Sequence, residues 1–152
     1  MKIPAGVDTE SQLRVSREGE AGVRGSTTGD LYIVIHVKES EIFERDEYDI
    51  YLEVPLSFSQ AALGDEIKVP TLEKEVSIKI PNGTQSGTRF RLKGEGVPYL
   101  DGYGRGDLYV IINVITPKYL GKDQKKLFEQ LHKTEEKKSL LDKIKEFAKG
   151  KL

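Results

Sequence analysis

The chain contains an internal repeat, in which residues 3–37 match residues 80–114 at a constant offset of 77 positions. Over these 35 positions 13 residues are identical without a gap, whereas average composition would give about two by chance. The identities include several glycines and the sequence Gly-Asp-Leu-Tyr at 29–32 and 106–109. Because turn residues recur at one fixed spacing, the same structural unit is expected twice in tandem.

The second copy of the repeat has the residue pattern of β-strands. Apolar and polar residues alternate, as in half-buried strands, over residues 48–54, 76–80 and 90–92. Pro55 is expected to end the first of these strands, and residues 57–64 to form a short helix capped by Ser57 or Ser59. The apolar run 108–115 predicts a central strand that is covered on both faces.

These patterns predict an all-β fold of tandem small β-sandwich units, with a short helix in the second unit and a helical tail. No counterpart of residues 48–78 precedes the first copy, so we expect a truncated first unit and a chain that is a fragment of a longer protein. The expected divisions are the end of the first unit at 1–37, a linker at 38–47, the second unit at 48–115 and the helical segment at 116–152.

The charge distribution supports a separate tail. Residues 1–115 carry 13 basic and 19 acidic residues, a net charge of −6, whereas residues 116–152 carry 11 and 6, a net charge of +5. Apolar residues of the tail are spaced for one helix face over 122–133 and again over 139–151. An apolar stripe flanked by lysines fits either packing in a dimer or a membrane surface, and the acidic residues of 134–152 favour the dimer.

Composition excludes several functional classes. The chain has no cysteine and two histidines, His36 and His132, so disulfides, thiolate catalysis and cysteine zinc sites are excluded and a multi-histidine metal site is not expected. A net charge of −1 argues against nucleic-acid binding, and the longest apolar run, 108–115, is too short to span a membrane. Neither histidine lies in a catalytic motif, and we predict no catalytic residues and no enzyme. The repeated Asp30 and Asp107 are predicted to cap turns.

Ile42 and Phe43 are apolar residues in the otherwise polar linker. They either pack between the two units or are presented in a groove, and the pattern alone leaves both alternatives open. Edge strands of small sandwiches can add an extended peptide as a further strand, with pockets for alternate side chains.

Several motifs together resemble the C-terminal substrate-binding region of DnaJ-type (Hsp40) co-chaperones, over residues 3–133. The motifs are Ile-Pro-x-Gly at 3–6 and 80–83, Gly-Glu-x-Gly at 19–22, Gly-Asp-Leu-Tyr at 29–32 and 106–109, Phe-x-Arg at 43–45, Val-Pro-Leu-Ser-Phe-x-Gln-Ala-Ala-Leu-Gly at 54–64 and Phe-Arg-Leu-Lys-Gly-x-Gly-Val-Pro at 90–98. Members of this family hold two tandem β-sandwich units and a C-terminal dimerisation helix. The tail after Lys133 shows no counterpart among these motifs.

The resemblance implies that the parent protein binds exposed apolar segments of unfolded polypeptides and delivers them to an Hsp70 partner. Phe43 matches an aromatic residue of the family's main apolar groove, and Ile42 lies beside it. The equivalent surface of the second unit would involve Leu52, Val54, Ile67 and Val69. The implied homodimer contact is made by Tyr119, Leu120, Leu127, Phe128 and Leu131.

The resemblance also implies a cytoplasmic protein. We expect no cofactor in this chain, because the zinc-binding cysteine region of the family is absent from it, and we expect the parent protein to bind zinc outside this chain. The J-domain motif is absent as well, so this chain is not expected to stimulate Hsp70 itself. Glu39-Ser40 and Glu47 depart from the residues that the family usually has there. The alternative function is a structural or dimerisation module that binds no client, because part of the best groove is not expected in this chain. A sandwich enzyme or lectin-like binder would need convergent polar residues, which are not found.

Overall fold

The computed structural model describes residues 2–23, 27–100 and 102–150. Contacts divide the chain into residues 1–116 and residues 117–152, and each unit is described by itself. The elements in chain order are β1 (Gln12–Val15), β2 (Leu31–Val34), β3 (Phe43–Asp46), β4 (Asp49–Ser57), α1 (Phe58–Leu63), β5 (Asp65–Pro70), β6 (Glu75–Ile80), β7 (Arg89–Leu92), β8 (Leu108–Ile115), α2 (Lys122–Thr134) and α3 (Leu140–Ala148).

A four-stranded sheet with the order β3-β4-β8-β7 forms the centre of residues 1–116. β4 and β8 are parallel, and the two outer pairs are antiparallel. One face of this sheet packs on the antiparallel β5–β6 hairpin. The core side chains are Ile50, Leu52 and Leu56 of β4, Leu108, Val110 and Ile112 of β8, Val69, Ile78 and Ile80 of the hairpin, and Val97. The predicted all-β sandwich is therefore confirmed.

The prediction that β8 is covered on both faces is wrong. Leu108, Val110 and Ile112 are buried, but Tyr109 and Ile111 on the other face are half-buried and Asn113 is exposed. The strand is central in its sheet because β4 and β7 flank it. Its second face stays partly open because the hairpin covers only the first face.

The prediction that Pro55 ends its strand is also wrong, because β4 continues through Pro55 to Ser57. The Ile50 N–H donates to the Asp107 carbonyl, so the even-numbered residues of β4 direct their backbone groups toward β8. The nitrogen of Pro55 faces the opposite side, where β3 ends at the pair Phe43–Leu52. Proline removes no ladder bond at such an edge position.

The helix predicted near 57–64 is confirmed as α1. The Ser57 hydroxyl accepts from the Gln60 N–H at 3.2 Å, and the Gln60 side-chain oxygen accepts from the Ser57 N–H at 3.0 Å. Gly64 ends the helix with a φ of 81° and a ψ of 157°, so it has a positive φ without the left-handed helical conformation. A side chain there would collide with the backbone at Ile80 and Asn82.

The predicted linker 38–47 contains β3, which pairs with β4 in the register Phe43–Leu52 to Asp46–Asp49. Residues 43–46 therefore belong to the sheet, and this part of the linker prediction needs correction. Glu47 lies in the connecting turn with a φ of 54°. The sequence did not predict this turn, because tight hairpins usually carry asparagine, aspartate or glycine at positions with positive φ and this one carries glutamate.

The repeat is visible in the hydrogen bonds. β1 pairs with β2 in the same register, offset by 77, as β7 pairs with β8. Asp107 accepts from the Gly94 N–H at 2.9 Å and from Arg91 Nε at 2.6 Å, and Asp30 accepts from the Arg17 N–H and from Arg14 Nε at 3.1 and 2.7 Å. The prediction that both aspartates cap turns is confirmed.

Burial differs between the two copies although their hydrogen bonds agree. Leu108 is completely buried, whereas its counterpart Leu31 is 42% exposed. β8 has β4 beside it and the hairpin above it, and among the described residues β2 pairs only with β1. The same sequence motif therefore lies in a core in one copy and near solvent in the other.

Residues 117–152 contain α2 and α3, close to the two helices predicted for the tail. α2 begins after Gly121, whose N–H donates to the Gln124 side chain, and α3 begins after Ser139, whose hydroxyl accepts from the Asp142 N–H. Within the described ranges, no helix has the length and apolar character needed to cross a membrane.

Candidate functional site

An open groove of about 650 Å³ lies beside β4, at the point where the pairing of β3 with β4 stops at Phe43 and Leu52. One wall is the segment that leads into β3, and the opposite wall is the end of β5. We call it the edge groove, and its lining residues are Ser40, Glu41, Ile42, Phe43, Glu44, Tyr51, Leu52, Glu53, Val54, Pro55, Lys68, Val69, Pro70 and Ile111.

The structure brings five of the six predicted client-binding residues to this groove. They are Ile42, Phe43, Leu52, Val54 and Val69. Leu52 and Val69 are buried and belong to the core, so they form the floor of the groove. Ile67 does not line it and packs, half-buried, against the core. The roles assigned to these residues stay predictions.

Ile42 and Phe43 are positioned by a short bend. The Ser40 hydroxyl accepts from the N–H of Ile42 at 3.3 Å and of Phe43 at 3.2 Å, which turns the chain into β3. Phe43 packs against the core and is half-buried, while Ile42 remains 55% exposed. Phe43 therefore packs on the core of its own sheet while also lining the groove, and Ile42 is exposed at the rim.

Arg45 connects β3 to the first copy of the repeat. Its guanidinium donates to the carbonyl oxygens of Val7 at 2.9 Å and Gly6 at 3.2 Å, and to that of Glu47 at 2.7 Å. Gly6 has a φ of 89°, and a side chain there would overlap the Pro98 carbonyl. Arg45 therefore fixes the strand that carries Phe43, a role that sequence reasoning did not assign.

The charged residues of the groove are mainly acidic. Glu41, Glu44 and Glu53 are exposed, and Lys68 is the only basic lining residue among those described. The rim therefore favours a ligand that is not acidic, because like charges repel.

Sequence reasoning missed four apolar or aromatic lining residues, Tyr51, Pro55, Pro70 and Ile111. Tyr51 and Pro55 alternate with the predicted Leu52 and Val54, so they lie on the opposite face of the same strand. Ile111 lies beside Glu53 only because β4 and β8 pair in parallel. The groove thus wraps around the edge of the sheet, which strand periodicity alone does not indicate.

The residues predicted to form the dimer contact lie in the helical segment, residues 117–152. Tyr119, Leu120, Leu127 and Leu131 are exposed, and Phe128 is half-buried. At 100° per residue, Leu127, Phe128 and Leu131 fall on one face of α2. α3 likewise exposes Leu140, Leu141, Ile144 and Phe147. The dimer contact itself stays a prediction.

The described residues do not fit a metal centre. They contain no group of three or more potential ligands placed to hold an ion, and the chain has no cysteine. The zinc implied by the family resemblance therefore has no candidate ligands in this part of the chain.

The clearest electrostatic perturbation lies away from the groove. The pKa of Asp107 is lowered, first by the hydrogen bond from the Gly94 N–H and then by Arg91, while burial opposes the shift. These groups hold the turn after β7, so the perturbation is structural.

Comparison with known proteins gives a consistent match. The family described as DnaJ C terminal domain matches residues 1–117. The "Chaperone protein DnaJ" of Parageobacillus thermoglucosidasius is 60% identical over 134 residues, covering 86% of this chain and 35% of that protein. The protein of the same name from Bacillus cytotoxicus is 52% identical over 151 residues, covering 99% of this chain and 41% of that protein.

The chain thus spans about two fifths or less of the length of these relatives. The match to the Bacillus cytotoxicus protein extends over nearly the whole chain, so it includes residues after Lys133. The expectation that this tail lacks a counterpart is therefore wrong.

Proposed function

The chain belongs to the DnaJ C-terminal domain family, and from that premise we propose that its edge groove binds exposed apolar segments of unfolded polypeptides. Binding keeps these segments from aggregating and involves no catalytic step. The observation that carries the proposal is the convergence of Ile42, Phe43, Val54 and Pro55 on one open groove with a buried apolar floor.

The driving force is the burial of apolar surface, at about 25 cal/mol for each Å² removed from water. Ile42 and Val54 retain exposed surface that a client side chain would cover. The groove is open rather than enclosed, and its charged groups surround an apolar floor, so it suits many apolar sequences rather than one defined ligand.

The proposal includes a homodimer held by α2 through Tyr119, Leu120, Leu127, Phe128 and Leu131. Support comes from the single apolar face of α2 and from the exposure of four of these side chains. A dimer would bring two edge grooves together, so that one unfolded chain could engage both with increased avidity.

Delivery of clients to an Hsp70 partner and a cytoplasmic location complete the proposal. Both rest on the family and on the chaperone name of the bacterial relatives. Both statements concern the whole protein. The Bacillus cytotoxicus relative is more than twice as long as this chain.

The second candidate is a structural and dimerisation module that binds no client. It is favoured by the burial of Leu52 and Val69, because these side chains are already committed to the core. The two candidates differ in whether blocking the edge groove changes an activity.

The absence of cysteine allows the groove to be blocked at one chosen position. We would introduce Ile42→Cys, attach a bulky maleimide, and measure light scattering from guanidine-denatured citrate synthase diluted into buffer. The matched control is Ile115→Cys with the same reagent, since Ile115 is similarly exposed, at 49%, and does not line the groove.

Binding at the groove predicts that the unmodified chain suppresses scattering, that modification at position 42 abolishes suppression, and that modification at position 115 leaves it intact. Lack of suppression by the unmodified chain, or equal loss in both modified proteins, would favour the structural module.

A further inference from the structure

The far end of β4 has an unpaired edge at the edge groove. β3 pairs with β4 only from Asp49 to Leu52, whereas β4 continues to Ser57. On the other side β4 stays paired with β8 from Ile50 to Ser57. The described strands therefore leave one edge of residues 53–57 open, in line with β3. An extended client lying in the groove would run along this edge.

The backbone groups on that edge belong to the odd-numbered residues of β4. The Ile50 N–H donates to the carbonyl of Asp107, the residue directly before β8, so even-numbered residues face β8. Glu53, Pro55 and Ser57 accordingly direct their backbone nitrogens to the open side, and Glu53 lies directly beside the last β3–β4 pair, Phe43–Leu52.

Beyond Glu53, neither of the two nitrogens on this edge can donate a hydrogen bond to an added strand. Proline has no N–H. The Ser57 N–H is already donated to the Gln60 side-chain oxygen at 3.0 Å, within the cap of α1. Antiparallel pairing exchanges N–H and C=O bonds in both directions, so an edge that offers only carbonyl groups beyond Glu53 cannot extend the ladder.

Resting on the function proposed above, we propose that Pro55, together with Gln60, closes the β4 edge beyond Glu53 to strand addition. An extended apolar segment of an unfolded polypeptide is then held in the edge groove by its side chains, without a reciprocal backbone ladder along residues 55–57. Pro55 thus acts as a residue that limits affinity and speeds release, and it also protects the edge from pairing with other chains. Its own ring contributes apolar surface to the groove.

The test restores the missing donor with Pro55→Val, which keeps an apolar, strand-favouring side chain. The probe is a fluorescein-labelled octapeptide of alternating leucine and threonine with lysine at each end, and affinity is measured by fluorescence anisotropy. One added hydrogen bond strengthens binding by about two- to tenfold. Pro4→Val is the matched control, because Pro4 is exposed and does not line the groove.

Hydrogen exchange of the new amide at position 55, followed by NMR, reports on the ladder directly. We expect rapid exchange in the free variant and protection at saturating peptide. Suppose that the wild type binds the peptide, that Pro55→Val binds it no more tightly and that the amide at position 55 stays unprotected. This result would overturn the role of Pro55 and leave the proposed function intact. Binding by the variant but not by the wild type would support that role and reject the proposed function. Binding by neither would reject both.

Discussion

Ile42 offers the most direct measure of how much the edge groove contributes to client binding. It is 55% exposed at the rim, and its backbone position is set by the Ser40 hydroxyl rather than by its own side chain. Replacement by serine should therefore remove apolar contact with a client while leaving the fold intact.

The size of the effect follows from the exposed fraction of the side chain. Complete burial of an isoleucine side chain is worth about 1.5–3 kcal/mol, so covering the exposed 55% is worth about 0.8–1.7 kcal/mol. Since about 1.4 kcal/mol corresponds to a factor of ten, Ile42→Ser should weaken binding of an apolar peptide by roughly four- to twentyfold.

Fluorescence anisotropy with a labelled leucine-rich peptide measures this change. Ile115→Ser is the control, because Ile115 has nearly the same exposure at 49% and lies outside the groove. Unfolding in urea, followed by far-UV circular dichroism, should show similar stability for both variants. Equal affinities for the two variants would refute the argument that the edge groove holds the peptide.

Three further predictions concern stability and assembly. Leu108→Ala should lower the free energy of unfolding by about 3–5 kcal/mol because it leaves a cavity in the core. Leu31→Ala should lower it by about 1–1.5 kcal/mol, because Leu31 is 42% exposed and less apolar surface is lost from burial. Equal losses in urea unfolding of the two variants would contradict this prediction. The lowered pKa of Asp107 means that its contribution to stability is present above about pH 4 and is lost as pH falls through the lowered pKa. Asp107→Asn should thus flatten the fall in melting temperature between about pH 5 and pH 3, and an unchanged pH profile would show that Asp107 is not the titrating group. Leu127→Asp with Phe128→Asp should convert the proposed dimer to a monomer in sedimentation velocity, and an unchanged mass would remove α2 from the interface.

Much of the local structure could be predicted from the sequence. The strands β6 to β8, the helix α1 and the turn-capping aspartates all follow from period, capping residues and the repeat. The strand periods and the helix cap depend on residues close together in the chain. The aspartate contacts span 13 or 16 residues and were predicted because the same residues recur in both copies of the repeat. The groove was predicted only in part, since Ile67 lies outside it and Pro55 was expected to end a strand.

The sequence by itself determined that residues 3–37 recur at 80–114, with a turn-capping aspartate in each copy. Only the tertiary structure decided that Leu108 is completely buried while Leu31 is 42% exposed, and that Pro55 lies where β4 extends past β3. The aspartate contacts of each repeated hairpin span 13 or 16 residues, and each hairpin forms with few other partners. Burial and edge position depend instead on strands far apart in sequence, such as β4 and β8, whose pairing no local pattern specifies.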